Sequence, residues 1–300
     1  MRYWFLWVLV NVGGRTPMRL QYATGWVLGM MAWYLVPRVR EATRNHARHV
    51  LGADTSRRRI DQVARRCTRT NLYYYADFAR FGVQQPKWIF DLFDHVEGVE
   101  HLVNALDDGG LVLVGAHLGN AEVIAQAASP FGVCLAIVTE PLEPPKLHRF
   151  VHRVRGAQGV RFLPADGRGL RQSIAHLKAG GALGLLVDRD VLGTAELFPF
   201  FGEPAPIPSG AVDLALKMDV PMFVAWTPRT RWGRYSLYIE QVALPERTGD
   251  RDADFRCAMA AMVAAIEAGI RRWPDQWFPI SPIWQPSEES QSDHTPDTRP

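Results

Sequence analysis

Apolar and polar positions change their pattern along the chain. Residues 18–36 are almost wholly apolar apart from Arg19 and Gln21, and the first ten residues, MRYWFLWVLV, are similar. The uninterrupted stretch from Ala23 to Val36 is shorter than the roughly 20 residues that span a bilayer. Trp4, Trp7, Trp26 and Trp33 in this region suit a membrane–water boundary. Residues 1–54 therefore predict a membrane-associating segment of two interfacial helices, with a single span as the lesser alternative. Residues 55–82 predict one long Arg-rich helix. Beyond Val99 short apolar runs alternate with amphipathic stretches. Strands are predicted at 111–116, 133–139, 160–164, 182–187, 221–227 and 235–243. Helices are predicted at 120–128, 145–156, 168–179, 210–218 and 253–272. Strands separated by single helices imply right-handed crossovers. The fold class is thus α/β, a mostly parallel central sheet flanked by helices. The short link between the last two strands predicts an antiparallel pair. One domain is expected over 55–284, and the polar tail 285–300 is expected to be disordered.

Composition narrows the function. With 300 residues and 47% hydrophobic content the chain is an ordinary globular protein. A net charge of +3 gives no case for nucleic-acid binding. The arginines between Arg38 and Arg80 directly follow the apolar N-terminus, the order expected of a segment lying on an anionic membrane surface. A solvated helix face is the plainer explanation. Cys67, Cys134 and Cys257 are isolated, which excludes a disulfide framework or a zinc site built on Cys-x-x-Cys.

The segment LVLVGAHLGNAE, residues 111–122, carries the clearest chemical signal. An apolar strand ends in His117, Gly119 permits a tight turn, and Asn120 is a good N-cap for a helix starting at Ala121. This places an imidazole at the carboxyl end of a strand and Glu122 in the first turn of the next helix. That crevice is where open α/β sheets bind ligands. A general base with an orienting carboxylate is one reading; a structural histidine beside a surface glutamate is the other.

Three further blocks are notable. GALGLLVDRD ends a second buried strand in Asp188-Arg189-Asp190. These carboxylates would orient Arg189 or His117, bind a divalent ion as in metal-dependent glycosyltransferases, or simply cap the strand. The Leu197–Gly202 run, LFPFFG, predicts a rigid aromatic loop fit to line an apolar slot or to fill the core. Ser209 is placed to cap the following helix. Arg149, Arg153 and Arg155 sit near a helix end, where arginine suits phosphate or carboxylate recognition; for Arg149 and Arg153 a solvated helix face with dipole-compatible charge is the better reading. His148, His152 and His176 read as structural or solvent-facing residues without partners. There is no Gly-x-Ser-x-Gly, Walker or His-Glu-x-x-His motif.

Taken together these blocks resemble the lysophospholipid acyltransferase family, in the group of lipid A biosynthesis and phosphatidylinositol mannoside acyltransferases. The matching pieces are His117-x4-Glu122, Arg155-x3-Gly159, Asp188 to Asp190, Phe200 to Ala205, Pro208 to Gly210 and Pro274-x-Gln276-Trp277. The chain departs from the lipid A branch at Ala121, where tryptophan is usual, and at Glu140-Pro141, where Arg-Pro is usual. Glu140 and the Asp-Arg-Asp triplet are closer to the mannoside branch.

The resemblance implies a glycerolipid-acyltransferase-like fold and a fatty acyl transfer to a glycolipid hydroxyl. The acyl donor would be acyl-CoA or acyl carrier protein, with no further cofactor and no metal. His117 would be the base and Glu122 its orienter. The Gly119–Asn120 amides or Arg189 would bind the oxyanion. Asn120, Glu140, Arg155, Asp188, Arg189, Asp190, Phe200 and Phe201 would contact substrate, the phenylalanines lining the acyl slot. The implied location is the cytoplasmic face of the plasma membrane. A metal-dependent glycosyltransferase built on Asp188 and Asp190, and a lipid-binding protein without catalysis, are the competing readings.

Overall fold

In the computed structural model, residues 2–284 are described, except 82, 84–85, 156–158, 191–192, 194 and 280–281. The expected tail 285–300 lies outside the described residues. Ten strands are described: β1 (Phe93–Glu97), β2 (Leu111–Gly115), β3 (Leu135–Thr139), β4 (Arg161–Pro164), β5 (Ala182–Leu186), β6 (Glu196–Phe200), β7 (Glu203–Ile207), β8 (Met222–Trp226), β9 (Arg229–Arg231) and β10 (Arg234–Gln241). The helices are α1 (Arg2–Asn11), α2 (Met18–Leu35), α3 (Pro37–Leu51), α4 (Arg57–Phe81), α5 (Val99–Asp108), α6 (Ala121–Ala128), α7 (Pro145–Arg155), α8 (Gly167–Lys178), α9 (Gly210–Met218) and α10 (Arg251–Arg272).

The main sheet runs β1-β10-β8-β2-β5-β3-β4, with β9 paired to β10. From β8 to β4 all neighbours are parallel, while β10 is antiparallel to β8. The mixed α/β class with a mostly parallel sheet is therefore as expected. β2 sits at the centre because its residues are apolar on both faces, as strands covered on both sides require. Val112 and Val114 pack with α9 and α10, where they meet Val212, Met262 and Ile266. Leu111 and Leu113 point the other way, into a core with Leu102 of α5 and Ala128 of α6. The same two-residue alternation divides Met222, Val224 and Trp226 from Phe223 and Ala225 in β8.

Several expectations change. The N-terminal 54 residues form three helices rather than two. No helix among the described residues is long and apolar enough to cross a membrane. α1 and α2 nonetheless expose large apolar side chains, among them Trp4, Phe5, Leu20, Val27, Met31 and Leu35. The Leu197–Gly202 run is not a loop: it forms most of the β6–β7 hairpin, and Phe201 takes φ 52° at its turn. Strand β1 and helix α5 precede the region where strands were predicted. β1 has a mostly exposed edge, so it lacks the apolar run that marks a buried strand.

α4 joins the N-terminal helices to the sheet through a buried polar cluster. Asp77 accepts hydrogen bonds from Tyr22 of α2 and Tyr235 of β10, from Arg229 Nη2 of β9 at 2.5 Å and from Asn120 Nδ2 at 3.0 Å. Burial, followed by Asp77, pushes the Tyr22 phenol well above its usual range. Each polar atom here needs its partners, because an unpaired buried charge is costly.

Candidate active site

His117 lies two residues beyond Gly115 at the carboxyl end of β2. Asp188 lies two residues beyond Leu186, the register partner of Gly115 on the parallel neighbour β5. The strand register therefore brings these two side chains together. His117 Nδ1 is 2.8 Å from Asp188 Oδ1, and the His117 backbone N–H donates to Asp188 Oδ2 at 2.9 Å. Trp277 Nε1–H donates to the same Oδ2 at 2.9 Å. Asp188 is completely buried. Burial alone would raise its pKa, but the His117 ring, both His117 hydrogen bonds and the Trp277 bond outweigh it, so the carboxyl is held below the usual range. A carboxylate accepting at Nδ1 leaves Nε2 as the basic nitrogen. The half-buried imidazole borders a cavity of about 290 Å³.

This corrects the assignment of Glu122 as the orienter of His117. Asn120 caps α6 as expected, its side chain accepting from Glu122 N. The first turn of α6 then carries the Glu122 carboxylate to Arg155, with which it forms an ion pair, and to Tyr74 O–H at 3.1 Å. Burial opposes the Arg155 charge, but Glu122 and then Tyr74 more than compensate and keep it cationic. Arg155 is held from behind as well, its carbonyl accepting from Gln126 Nε2 at 2.9 Å. A second ion pair joins Arg189 and Glu140. His117, Glu122, Arg155, Glu140 and Arg189 all border the same cavity.

Apart from Thr139 the rest of the cavity wall is apolar: Leu113, Leu135, Ile137, Val138, Phe162, Leu185 and Leu186 contribute, from β2, β3, β4 and β5. Phe200 and Phe201 do not. The hairpin turns them away, to pack on Trp277 and Trp284 within the core. Their expected role in lining the slot is thus overturned: Phe200 is fully buried and Phe201 partly buried against these tryptophans. Asn120 does not reach the cavity either, since its amide is used by Asp77 and Tyr235.

The amides around Gly119 are also committed. Gly119 N donates to Gln276 O at 3.0 Å and Asn120 N to Thr227 O at 3.2 Å. A side chain at Gly119, with φ 63°, would strike Thr227 O at 2.0 Å, so the close approach requires glycine. These two N–H groups are therefore not oxyanion donors. Asp190 folds back to accept from Gly193 N and Ala195 N, at 2.9 and 3.0 Å. With Asp188 engaged by His117 and Trp277, the two carboxylates do not converge on a common point.

Smaller assignments change too. Ser209 donates to Asp213 Oδ2 and does not cap α9. His148 accepts from Leu142 N at 3.3 Å, and His176 Nε2 lies 3.1 Å from Cys134 O. Both are structural, but neither is without a partner. Trp277 and Tyr74 are site residues whose contacts the sequence reading missed. The Gln276-Trp277 pair was recognised only as part of a motif.

The family model described as bacterial lipid A biosynthesis acyltransferase matches residues 1–286. The chain belongs to this family. It is an acyltransferase. Among its relatives is a phosphatidylinositol mannoside acyltransferase of Mycolicibacterium smegmatis, 26% identical over 303 aligned residues that cover 92% of this chain and 95% of the relative. A phosphatidylinositol mannoside acyltransferase of Mycobacterium tuberculosis (strain CDC 1551 / Oshkosh) is 27% identical over 196 residues, covering 63% of this chain and 59% of that one. The glycosyltransferase alternative finds no support in these relatives.

Proposed function

We propose that this acyltransferase moves a fatty acyl group from a thioester, acyl-CoA or acyl carrier protein, to a hydroxyl of a glycolipid such as a phosphatidylinositol mannoside or a lipid A precursor. The observation that carries the reading is an Asp188-held imidazole at the mouth of an apolar cavity. His117 Nε2 takes the proton of the acceptor hydroxyl as its oxygen attacks the thioester carbonyl. Asp188 stabilises the imidazolium that forms. The tetrahedral intermediate collapses, the C–S bond breaks and the thiolate takes the proton from His117. With the Gly119 and Asn120 amides already bonded, Arg189 is the donor that meets the oxyanion. The apolar walls from β2, β3 and β5 hold the acyl chain. The Glu122–Arg155 and Glu140–Arg189 pairs hold polar groups of the acceptor or donor.

The exposed aromatic and aliphatic side chains of α1 and α2 rest in the headgroup region of the cytoplasmic face of the plasma membrane, with the arginines of α3 and α4 behind them. The enzyme is thereby held at the surface that contains its acceptor. The names of the relatives favour a phosphatidylinositol mannoside. The test supplies palmitoyl-CoA and acyl carrier protein thioesters with a panel of glycolipids and follows acylated product by mass spectrometry. A product formed only with a glycolipid supports the reading. Thioester consumption that no glycolipid stimulates refutes it.

A further inference from the structure

A second, basic cleft lies outside the chemistry assigned to His117. It has a volume of about 260 Å³ and is formed between α4 and the β9–β10 hairpin. Arg66, Arg69 and Tyr73 recur at the spacing of one helix face. Opposite them are Arg229, Arg231 and Trp232, with Asp275 and Gln276 at one end. Four arginines thus border one cleft. The carboxylates near them are fewer and partly distant. Asp275 is 3.6 Å from Arg66, Asp77 neutralises Arg229 from below, and Asp94 lies 3.4 Å from Arg231 but closer to Arg234. Arg69 has no carboxylate partner among the described residues. Two guanidinium Nε atoms, of Arg69 and of the nine-tenths buried Arg229, are buried with no acceptor among the described residues. Buried donors ordinarily have acceptors. With Arg66, Arg229 and Arg231 each beside a carboxylate and Arg69 beside none, the cleft carries a surplus of positive charge that suits an anion.

We infer that this cleft binds a phosphate ester. Guanidinium groups offer paired N–H donors that match phosphate oxygens. Trp232, stacked on Tyr22 of α2 with ring centroids 5.7 Å apart, supplies an apolar wall for what the phosphate carries. The position suits either of two carriers. Tyr22 belongs to the helix that exposes Trp26 and Met31, which favours a lipid head group. Gln276 meanwhile connects the cleft to the dyad: its carbonyl accepts from Gly119 N, and the next residue, Trp277, donates to Asp188. That proximity favours the phosphates of a soluble thioester donor. The inference draws on the acyl-transfer reading only for these two carriers, and it is measured without turnover.

The test is calorimetric titration of the full chain with glycerophosphoinositol, as a lipid head group, and with coenzyme A, as the donor. Arg66→Gln combined with Arg231→Gln changes two exposed side chains and leaves the packing alone; Arg69→Gln is the second variant. Loss of one such charged contact is expected to weaken binding at least tenfold, about 1.4 kcal/mol. Weakening for glycerophosphoinositol alone assigns the cleft to the lipid, and for coenzyme A alone to the donor. Wild-type protein that binds neither probe, or variants that bind both as tightly as wild type, would overturn the inference. If Arg69→Gln fails to fold, the exposed pair decides. Failure of acyl transfer with intact probe binding would sink the reaction assignment and leave the cleft standing.

Discussion

Replacing Asp188 with asparagine separates the two carboxylates that could serve His117. Asp188 accepts three hydrogen bonds, one from the ring Nδ1–H at Oδ1 and two from N–H donors at Oδ2. An asparagine has one oxygen to offer. If that oxygen stays at Nδ1, the new NH2 group faces two N–H donors, which loses both bonds at roughly 1–3 kcal/mol each. If it turns to the two donors, only the ring contact changes. The second orientation wins, and the NH2 group then donates to Nδ1. The imidazole proton is forced to Nε2, where a general base must be free of it. The expected fall in kcat/KM is about 10⁴-fold, or about 5 kcal/mol of transition-state stabilisation, with the fold retained. The assay is thiol release from palmitoyl-CoA in the presence of the glycolipid acceptor, with melting temperature recorded alongside. A variant within tenfold of wild type would refute Asp188 as the partner of His117.

Other outcomes follow from the same contacts. Glu122→Gln should raise KM more than it lowers kcat, because it loosens Arg155 rather than the base; a loss in kcat as large as that of Asp188→Asn would contradict this. Arg229→Met leaves Asp77 buried without its counter-ion and should destabilise the chain by roughly 3–5 kcal/mol, read by urea unfolding; an unchanged midpoint would remove that pair from the stability account. His46 is buried against Trp277 and Trp284, and burial, then His49, lowers its pKa from 6.5 to about 4, with Asp188 pulling the other way. The unfolded chain binds this proton first, so stability is full above pH 6.5 and is lost as pH falls toward 4. The gap is worth about 3 kcal/mol. His46→Phe should flatten that loss in pH-dependent unfolding, and an unchanged pH profile would exclude His46 as its cause.

Much of the sheet could be read from the chain because each βα unit carries its own signal. The 111–115 and 182–186 runs are apolar throughout, and Asn120 caps α6 by contacts within two residues. The pairing of His117 with Asp188 is different. It spans 71 residues and depends on β2 and β5 being parallel neighbours in register. Orienting His117 was one of the readings open to the Asp188–Asp190 triplet, but choosing Asp188 over Glu122 needs the strand order, which is a tertiary property. Glu122 misled for the complementary reason. Nearness along a helix start does not fix direction, and the first turn of α6 points it at Arg155. Phe200 and Phe201 misled because an aromatic run has the same composition whether it lines a slot or fills a core.

His117 is the base in the proposed acyl transfer. The direct measurement is acceptor-dependent thiol release by wild type and by His117→Ala in parallel, at matched folding. The variant is expected to lose activity by several orders of magnitude, since a general base and its partner act as a unit. A variant that releases thiol at near wild-type rate, with the glycolipid still acylated, would contradict it.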